Sequence, residues 1–241
     1  MKILSIGNSF SQDAQAYLHN VAKANGVDLY TVNLYVGGCS LESHYQFMIS
    51  GEPKYELEVN GVTTGSYITL KDALLSQDFD VITVQQSSPK SFDFSTYLPY
   101  LTKINAYVKN LCPNAKIYIH QTWMYEKDSD ILKNVTPFTD PVDMYNGIID
   151  SYNKAYNAIN ADGLIPSGKA MYNALTLGAK RVHRDGFHAS LGIGRYLIAL
   201  TWLKALTGLD IANDTYNDLK EELTDEERII AKKAVNMAFD K

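Results

Sequence analysis

The chain has 241 residues, of which 46% are hydrophobic and 20% are charged. This length and balance are typical of one large globular domain with a full core. The net charge is −5 and no dense cluster of lysine and arginine occurs, which excludes a basic nucleic-acid-binding surface. No stretch is apolar for long enough to suggest a membrane span. No signal-peptide pattern is visible, so a cytoplasmic location is expected, and a secreted one stays open if the sequence was trimmed.

Strand-like and helix-like segments alternate, which predicts an α/β fold with a parallel sheet covered by helices on both faces. No repeat or linker interrupts them, so we expect a single domain over residues 1–241. In chain order, the pattern predicts a strand at 2–6, a helix at 13–25, a strand at 29–35, a helix at 70–77, a strand at 81–84, a helix at 98–111, a strand at 116–120, a helix at 142–159, a short strand at 164–165 and helices at 193–206 and 224–239. Thr224 and Glu227 predict a capping box at the start of the last helix.

One segment departs from this alternation. Residues 55–59 and the residues from 62 onward flank Asn60-Gly61, a pair that favours a tight β-hairpin turn. We interpret residues 53–68 as a hairpin inserted beside the sheet, and a flap over a site is one role open to it.

Polar residues follow the predicted strands. In an open parallel sheet, ligands bind outside the carboxyl ends of the strands, so these residues are expected to share one rim. The polar segments are Gly7-Asn8-Ser9, Gly37-Gly38-Cys39-Ser40, Gln85-Gln86-Ser87-Ser88 and Gln121-Thr122-Trp123, and Asp185-Gly186-Phe187-His188 lies beyond the fifth strand.

These residue types suit acyl transfer. A serine hydroxyl needs a base within hydrogen-bond reach, and the base needs a third group to orient it. Asp185 and His188 are spaced so that the carboxylate can accept the Nδ1 proton, and Ser9 is the predicted nucleophile. Candidate donors to the oxyanion are the backbone N–H groups of Ser9 and Gly38 and the side-chain amide of Gln86.

Each motif also has a simpler interpretation. Gly7-Asn8-Ser9 alone fits a turn with a helix cap, and Gly37-Gly38 alone fits an ordinary loop. Asp185 and His188 alone could form a surface ion pair. His183 is a rival for the base, although its spacing to Asp185 is shorter and less suited to that role.

The segment Ile6-Gly7-Asn8-Ser9-Phe10-Ser11 resembles the first block of the SGNH hydrolases (GDSL-like esterases), which usually reads Gly-Asp-Ser-Leu. Gly38 matches the glycine of the second block, and Asp185-x-x-His188 matches the fifth. The resemblance implies a three-layer αβα, flavodoxin-like fold with five parallel strands in the order 2-1-3-4-5. It also implies a Ser-His-Asp triad of Ser9, His188 and Asp185. The variant with Asn8 and the hairpin is similar to an uncharacterised bacterial branch of that superfamily.

The third block of that family is Gly-x-Asn-Asp, whereas this chain has Gln85-Gln86-Ser87-Ser88. The identity of a third oxyanion donor therefore stays open. The family cleaves many esters, and here Trp123, Tyr125 and the polar glutamines favour a small acyl group on a carbohydrate, as in an O-deacetylase. The predicted substrate-binding residues are Asn8, Gln85, Gln121 and Trp123.

Two other functions stay open. The missing third block is consistent with a non-catalytic carbohydrate-binding domain on the same fold. A flavin or nucleotide binder has only the inferred topology in its favour, because the chain has no glycine-rich phosphate-binding motif. Cys39 and Cys112 fit neither a metal-ligand spacing nor a disulfide framework, so neither a metal nor another cofactor is predicted.

Overall fold

A seven-stranded sheet runs through the centre of the computed structural model, which describes residues 1–240. The strands are β1 (Lys2–Gly7), β2 (Tyr30–Tyr35), β3 (Tyr55–Val59), β4 (Val62–Ile68), β5 (Val81–Val84), β6 (Lys116–His120) and β7 (Gly163–Ile165). Their order across the sheet is β4-β3-β2-β1-β5-β6-β7. The five neighbours β2, β1, β5, β6 and β7 are parallel to one another. The hairpin strand β3 pairs antiparallel with both β2 and β4.

The prediction of five strands, all parallel, was wrong in strand number and in the order of the complete sheet. The segment 55–68 does form a hairpin, but the hairpin continues the sheet instead of lying beside it. Val32 of β2 stands opposite Val59 of β3, so the backbone of β3 pairs with the edge that β2 would otherwise expose. A strand held in the sheet in this way is not a flap.

The helices are α1 (Ser9–Gln15), α2 (Leu18–Ala24), α3 (Leu41–Ser50), α4 (Leu70–Leu75), α5 (Tyr100–Leu111), α6 (Asp130–Val135), α7 (Pro141–Ile159), α8 (Ser167–Thr176), α9 (Ile193–Thr207) and α10 (Asp225–Phe239). The capping box of Thr224 and Glu227 is confirmed. The predicted helix at 13–25 is instead two helices, and the first begins at Ser9, because Asn8 caps it. None of the predicted ranges corresponds to α3, α6 or α8.

Apart from α6, the helices form two groups that cover the two faces of the sheet. One group contains α1, α2, α8, α9 and α10, and the other contains α3, α4, α5 and α7. The connections from β1 to β2 and from β2 to β5 run in opposite directions across the sheet, so right-handed crossovers place their helices on opposite faces. Because β2, β1 and β5 are adjacent and parallel, the loops that follow them emerge side by side at one rim. Within residues 1–240, no helix has the length and apolar character needed to cross a membrane.

The hairpin braces the helix that follows β1. The buried Glu58 carboxylate of β3 accepts hydrogen bonds from Nε2 of Gln12, at 2.5 Å, and from Nδ2 of Asn33, at 2.7 Å. Burial raises the pKa of Glu58, although these two hydrogen bonds oppose the shift. The Oγ of Ser11 lies 2.7 Å from Oδ1 of Asn33, so the network joins β3 through β2 to α1.

Candidate active site

Ser9 lies on a sharp turn between β1 and α1. Asn8 caps the helix: its Oδ1 accepts the N–H of Phe10 at 3.0 Å, and its own N–H donates to Oγ of Ser11 at 3.1 Å. A Cβ at Gly7 would collide with Oγ of Ser11, so only glycine allows this close approach. As the first residue of α1, Ser9 presents its hydroxyl and its N–H at the rim of the sheet.

Ser9, His188 and Asp185 form a continuous chain of hydrogen bonds. Nε2 of His188 lies 2.8 Å from Oγ of Ser9, and Nδ1 lies 2.7 Å from Oδ2 of Asp185. The second carboxylate oxygen, Oδ1, accepts the backbone N–H of His188 at 2.9 Å. The acid is thus held by both the side chain and the backbone of the residue that it orients.

The electrostatics of Asp185 keep it ionised. Partial burial would raise its pKa, but the hydrogen bonds from the side chain and backbone of His188 outweigh that effect, so the pKa of Asp185 lies below its ordinary value. An ionised Asp185 accepts the Nδ1 proton, which leaves Nε2 of His188 free to accept the proton of Ser9.

His183, the rival base, is engaged elsewhere. It is buried, and its Nε2 donates to the carbonyl oxygen of Met124 at 3.0 Å. Burial lowers the pKa of His183 to about 4, so its ring stays neutral near pH 7. The structure therefore brings His188, and not His183, to the hydroxyl of Ser9.

The two predicted backbone donors to an oxyanion, the N–H groups of Ser9 and Gly38, are not used in the hydrogen bonds of the fold within residues 1–240. Nδ2 of Asn8 donates to the carbonyl oxygen of Cys39 at 3.0 Å, which ties the Gly38 loop to the Ser9 turn. Gly38 has φ of 64°, a left-handed conformation that favours glycine. The two predicted backbone donors thus lie on loops that are joined to each other.

The predicted oxyanion role of Gln86 does not fit the structure. The side chain is fully buried, and its Nε2 donates to the carbonyl oxygen and to Oγ1 of Thr96 at 3.1 and 3.2 Å. Its Oε1 accepts the N–H groups of Leu41 and Ser87. The amide therefore fixes the loops after β2 and β5 relative to each other, and it has no donor left for a substrate.

Asn8 and Gln85, predicted to bind substrate, are buried parts of a hydrogen-bonded chain. Burial lowers the pKa of His120 to about 3, so its ring is neutral. Its Nε2 accepts the hydroxyl of Ser167 at 3.1 Å, and its Nδ1–H donates to Oε1 of Gln85 at 2.7 Å. Nε2 of Gln85 then donates to Oδ1 of Asn8 at 2.7 Å. This chain positions the turn that carries Ser9.

Gln121 and Trp123 are also buried, which contradicts their predicted contact with substrate. Oε1 of Gln121 accepts the N–H of Lys169 at 2.9 Å, at the start of α8. Nε1 of Trp123 donates to the carbonyl oxygen of Phe187 at 2.7 Å. The ring centroids of Trp123 and Phe10 lie 4.2 Å apart. Trp123 therefore supports the residue that precedes His188.

Sequence reasoning missed a buried ion cluster beside the triad. Asp13 is fully buried and pairs with the guanidinium groups of Arg184 and Arg195, each at 2.8 Å. The available signal was the position of Asp13 four residues after Ser9, because this spacing places both side chains on one face of a helix. A carboxylate on the same helix face as the predicted nucleophile needs a paired cation if that face is buried, but the spacing does not say which residue supplies it.

The model of the family described as Domain of unknown function (DUF4886) matches residues 2–238. The chain belongs to the DUF4886 family. A solved structure of a DUF4886 family protein from Bacteroides uniformis is 34% identical, with a TM-score of 0.92, over 99% of this chain and 94% of that one. None of the curated proteins matches this DUF4886 chain.

More distant solved structures share the fold of this DUF4886 protein. A protein from Slackia heliotrinireducens, proposed to be an SGNH hydrolase, is 20% identical with a TM-score of 0.61, over 86% of this chain and 98% of that one. Axe2, an acetylxylan esterase from Geobacillus stearothermophilus, is 13% identical with a TM-score of 0.54, over 86% of this chain and 94% of that one. At such identities the likeness concerns the fold alone.

If the N–H of Gly38 donates to an oxyanion, Gly38→Ala is expected to reduce ester turnover by this DUF4886 protein. A Cβ at Gly38 meets open space, so the cost is conformational, on the order of 1 kcal/mol for alanine in the left-handed region. Relief of that strain would turn the N–H away from the oxyanion and lower kcat by about 10²-fold. Gly26, with φ of 73° and open space around its Cβ position, supplies the control, because Gly26→Ala carries the same strain far from the triad. Equal kcat values for the two variants in nitrophenyl acetate hydrolysis would show that turnover does not depend on glycine at position 38.

Proposed function

We propose that this DUF4886 protein is a serine hydrolase that cleaves carboxylic esters through an acyl-enzyme. The observation that carries the proposal is the chain from Asp185 through His188 to Ser9, with separations of 2.7 and 2.8 Å. Such a chain activates a hydroxyl that is otherwise a weak nucleophile at neutral pH.

In the proposed reaction, Oγ of Ser9 forms a bond to the ester carbonyl carbon while its proton passes to Nε2 of His188. The carbonyl oxygen becomes an oxyanion that accepts hydrogen bonds from the backbone N–H groups of Ser9 and Gly38. His188 then donates its proton to the leaving alcohol oxygen as the carbon–oxygen bond breaks. Water attacks the acyl-Ser9 ester with His188 again as the base, and collapse of the second intermediate releases the carboxylic acid and restores the Ser9 hydroxyl.

The surroundings of Ser9 favour a short acyl group and a large alcohol. The buried rings of Phe10, Trp123 and Tyr125 pack around Phe187 and His188. Gly38 is exposed to solvent, and so is 44% of the Asp185 side chain. This arrangement leaves room outside the protein for a bulky leaving group. The fold likeness to an acetylxylan esterase adds a carbohydrate as a candidate alcohol, so we propose an O-deacetylase.

A panel of esters tests this proposal. Nitrophenyl acetate, butyrate and octanoate separate acyl lengths, and an acetylated xylooligosaccharide supplies a carbohydrate ester whose acetate release can be measured. We expect kcat/KM to fall with acyl length by about tenfold or more between acetate and octanoate, because the buried rings beside Ser9 already pack against one another and offer extra methylenes no binding energy. A preference for octanoate would contradict the short acyl group. Failure to hydrolyse any of these esters would contradict the esterase, and sugar binding without turnover would favour a binding domain.

A further inference from the structure

The segment that carries His188 meets α1 at two points that lie one helical turn apart. Nε2 of His188 contacts Ser9, and the N–H of the next residue, Ala189, donates to Oδ2 of Asp13 at 2.9 Å. Ser9 and Asp13 stand on the same face of α1. We infer that Asp13 and Arg184 are positioning residues that set the distance from His188 to Ser9, an inference that rests on the proposed function.

Asp13 is a buried carboxylate that fixes several donors, and not a surface charge. Its side chain is 0% exposed, and its carboxylate accepts hydrogen bonds from Arg184, Arg195 and the backbone of Ala189. Arg195 belongs to α9, which packs on α1. A buried charge is tolerated only when it is paired and hydrogen-bonded. The three donors are therefore fixed relative to one another by the carboxylate that they share.

Arg184 connects this carboxylate to the triad. Its Nη1 lies 2.8 and 3.1 Å from the two oxygens of Asp13, and it also donates to the carbonyl oxygen of Ala189. Its Nε lies 3.9 Å from Oδ2 of Asp185. One guanidinium thus faces the buried carboxylate on one side and the triad acid on the other.

The other hydrogen bonds of the segment are internal or lead away from α1. The N–H of Arg184 donates to the carbonyl oxygen of His188, and Trp123 donates to that of Phe187. Within residues 1–240, the hydrogen bonds that join residues 184–189 to α1 are those to Asp13 and the contact between His188 and Ser9. Without Asp13 and Arg184, the contact between His188 and Ser9 would be the one hydrogen bond left between these residues and α1, beside the packing of Phe10 on Phe187 and His188.

Arg184→Gln tests the inference, with Arg181→Gln as its matched control. Arg181 is exposed and lies three residues before Arg184, so its substitution removes one arginine charge without touching Asp13. We expect Arg184→Gln to lower kcat for nitrophenyl acetate by about 10²-fold relative to the control, as expected for a misplacement of about 1 Å, with KM nearly unchanged. Should Arg184→Gln unfold, Arg184→Lys keeps the charge without the forked geometry and carries the same test.

A second readout does not depend on esterase activity. The NMR chemical shift of Nε2 of His188 is recorded at one pH with and without Ser9→Ala, in the wild-type and Arg184→Gln backgrounds. We expect Ser9→Ala to change this chemical shift in the wild type, where Nε2 contacts Oγ of Ser9, and to have little effect in Arg184→Gln, because the contact is already lost there. Equal changes in both backgrounds, or a kcat equal to that of the control, would overturn the inference. If the wild type hydrolyses no ester while the coupling depends on Arg184, the proposed function fails and the positioning role stands.

Discussion

Ser9→Ala is expected to lower kcat/KM for nitrophenyl acetate by about 10⁶-fold, the loss typical of a nucleophile that acts as one unit with its base. The hydroxyl is the only part of Ser9 that the substitution removes. Its backbone N–H stays at the start of α1, so an oxyanion donor survives. A residual rate above that of water is therefore expected, from binding and oxyanion stabilisation alone.

A fluorophosphonate probe gives the corresponding covalent readout. We expect the wild type to be labelled at Ser9, with the modified peptide located by mass spectrometry, and Ser9→Ala to remain unlabelled. Ser66→Ala is the control, because Ser66 is exposed on β4. Ser11 is no substitute nucleophile, since its Oγ is already engaged with Asn8 and Asn33. Turnover by Ser9→Ala within tenfold of the control would show that the reaction does not use this hydroxyl.

The proximity of Ser9, His188 and Asp185 could be predicted from the sequence, and the reason is geometric. Ser9 follows a strand directly, and the carboxyl ends of parallel strands meet at one rim. The spacing of Asp185 and His188 is short enough for their contact to be local. Both inferences depend on neighbouring residues in the chain, which a sequence displays.

The amide side chains could not be assigned in the same way. Asn8, Gln85 and Gln86 stand in the expected loops, but a sequence does not say whether an amide points outward or inward. Here they point inward, where Gln85 spans the gap between Asn8 and His120. Buried polar groups must be satisfied, so the polarity that suggested substrate binding instead serves the hydrogen bonds of the loops.

The ion-pair partners of Asp13 could not be predicted from the sequence either. Its partners Arg184 and Arg195 lie 171 and 182 residues further along the chain, beyond any periodic pattern. The hairpin was found from Asn60-Gly61, but its pairing with β2 was not, because turn chemistry fixes the hairpin and leaves its partner strand open.

Asp185→Asn is expected to lower kcat/KM by about 10⁴-fold, even though it changes a single atom type. Both oxygens of Asp185 accept hydrogen bonds, Oδ2 from Nδ1 of His188 and Oδ1 from its backbone N–H. An asparagine has one acceptor and one donor at these positions. If its oxygen stays on the backbone N–H, its NH₂ group faces Nδ1 and imposes the tautomer with the proton on Nε2. That tautomer cannot accept the proton of Ser9.

The alternative orientation of the amide leads to a different result, which makes the variant informative. An oxygen turned toward Nδ1 keeps the productive tautomer but places NH₂ against the backbone N–H of His188, and it removes the negative charge that stabilises the imidazolium. The measurement is kcat/KM together with the NMR signal of the proton on Nδ1, with the exposed Asp78 changed to asparagine as the control. Loss of that signal with the full rate loss indicates the wrong tautomer. A retained signal with a smaller rate loss indicates that the charge alone was removed, and a rate equal to that of Asp78→Asn would exclude Asp185 from the mechanism.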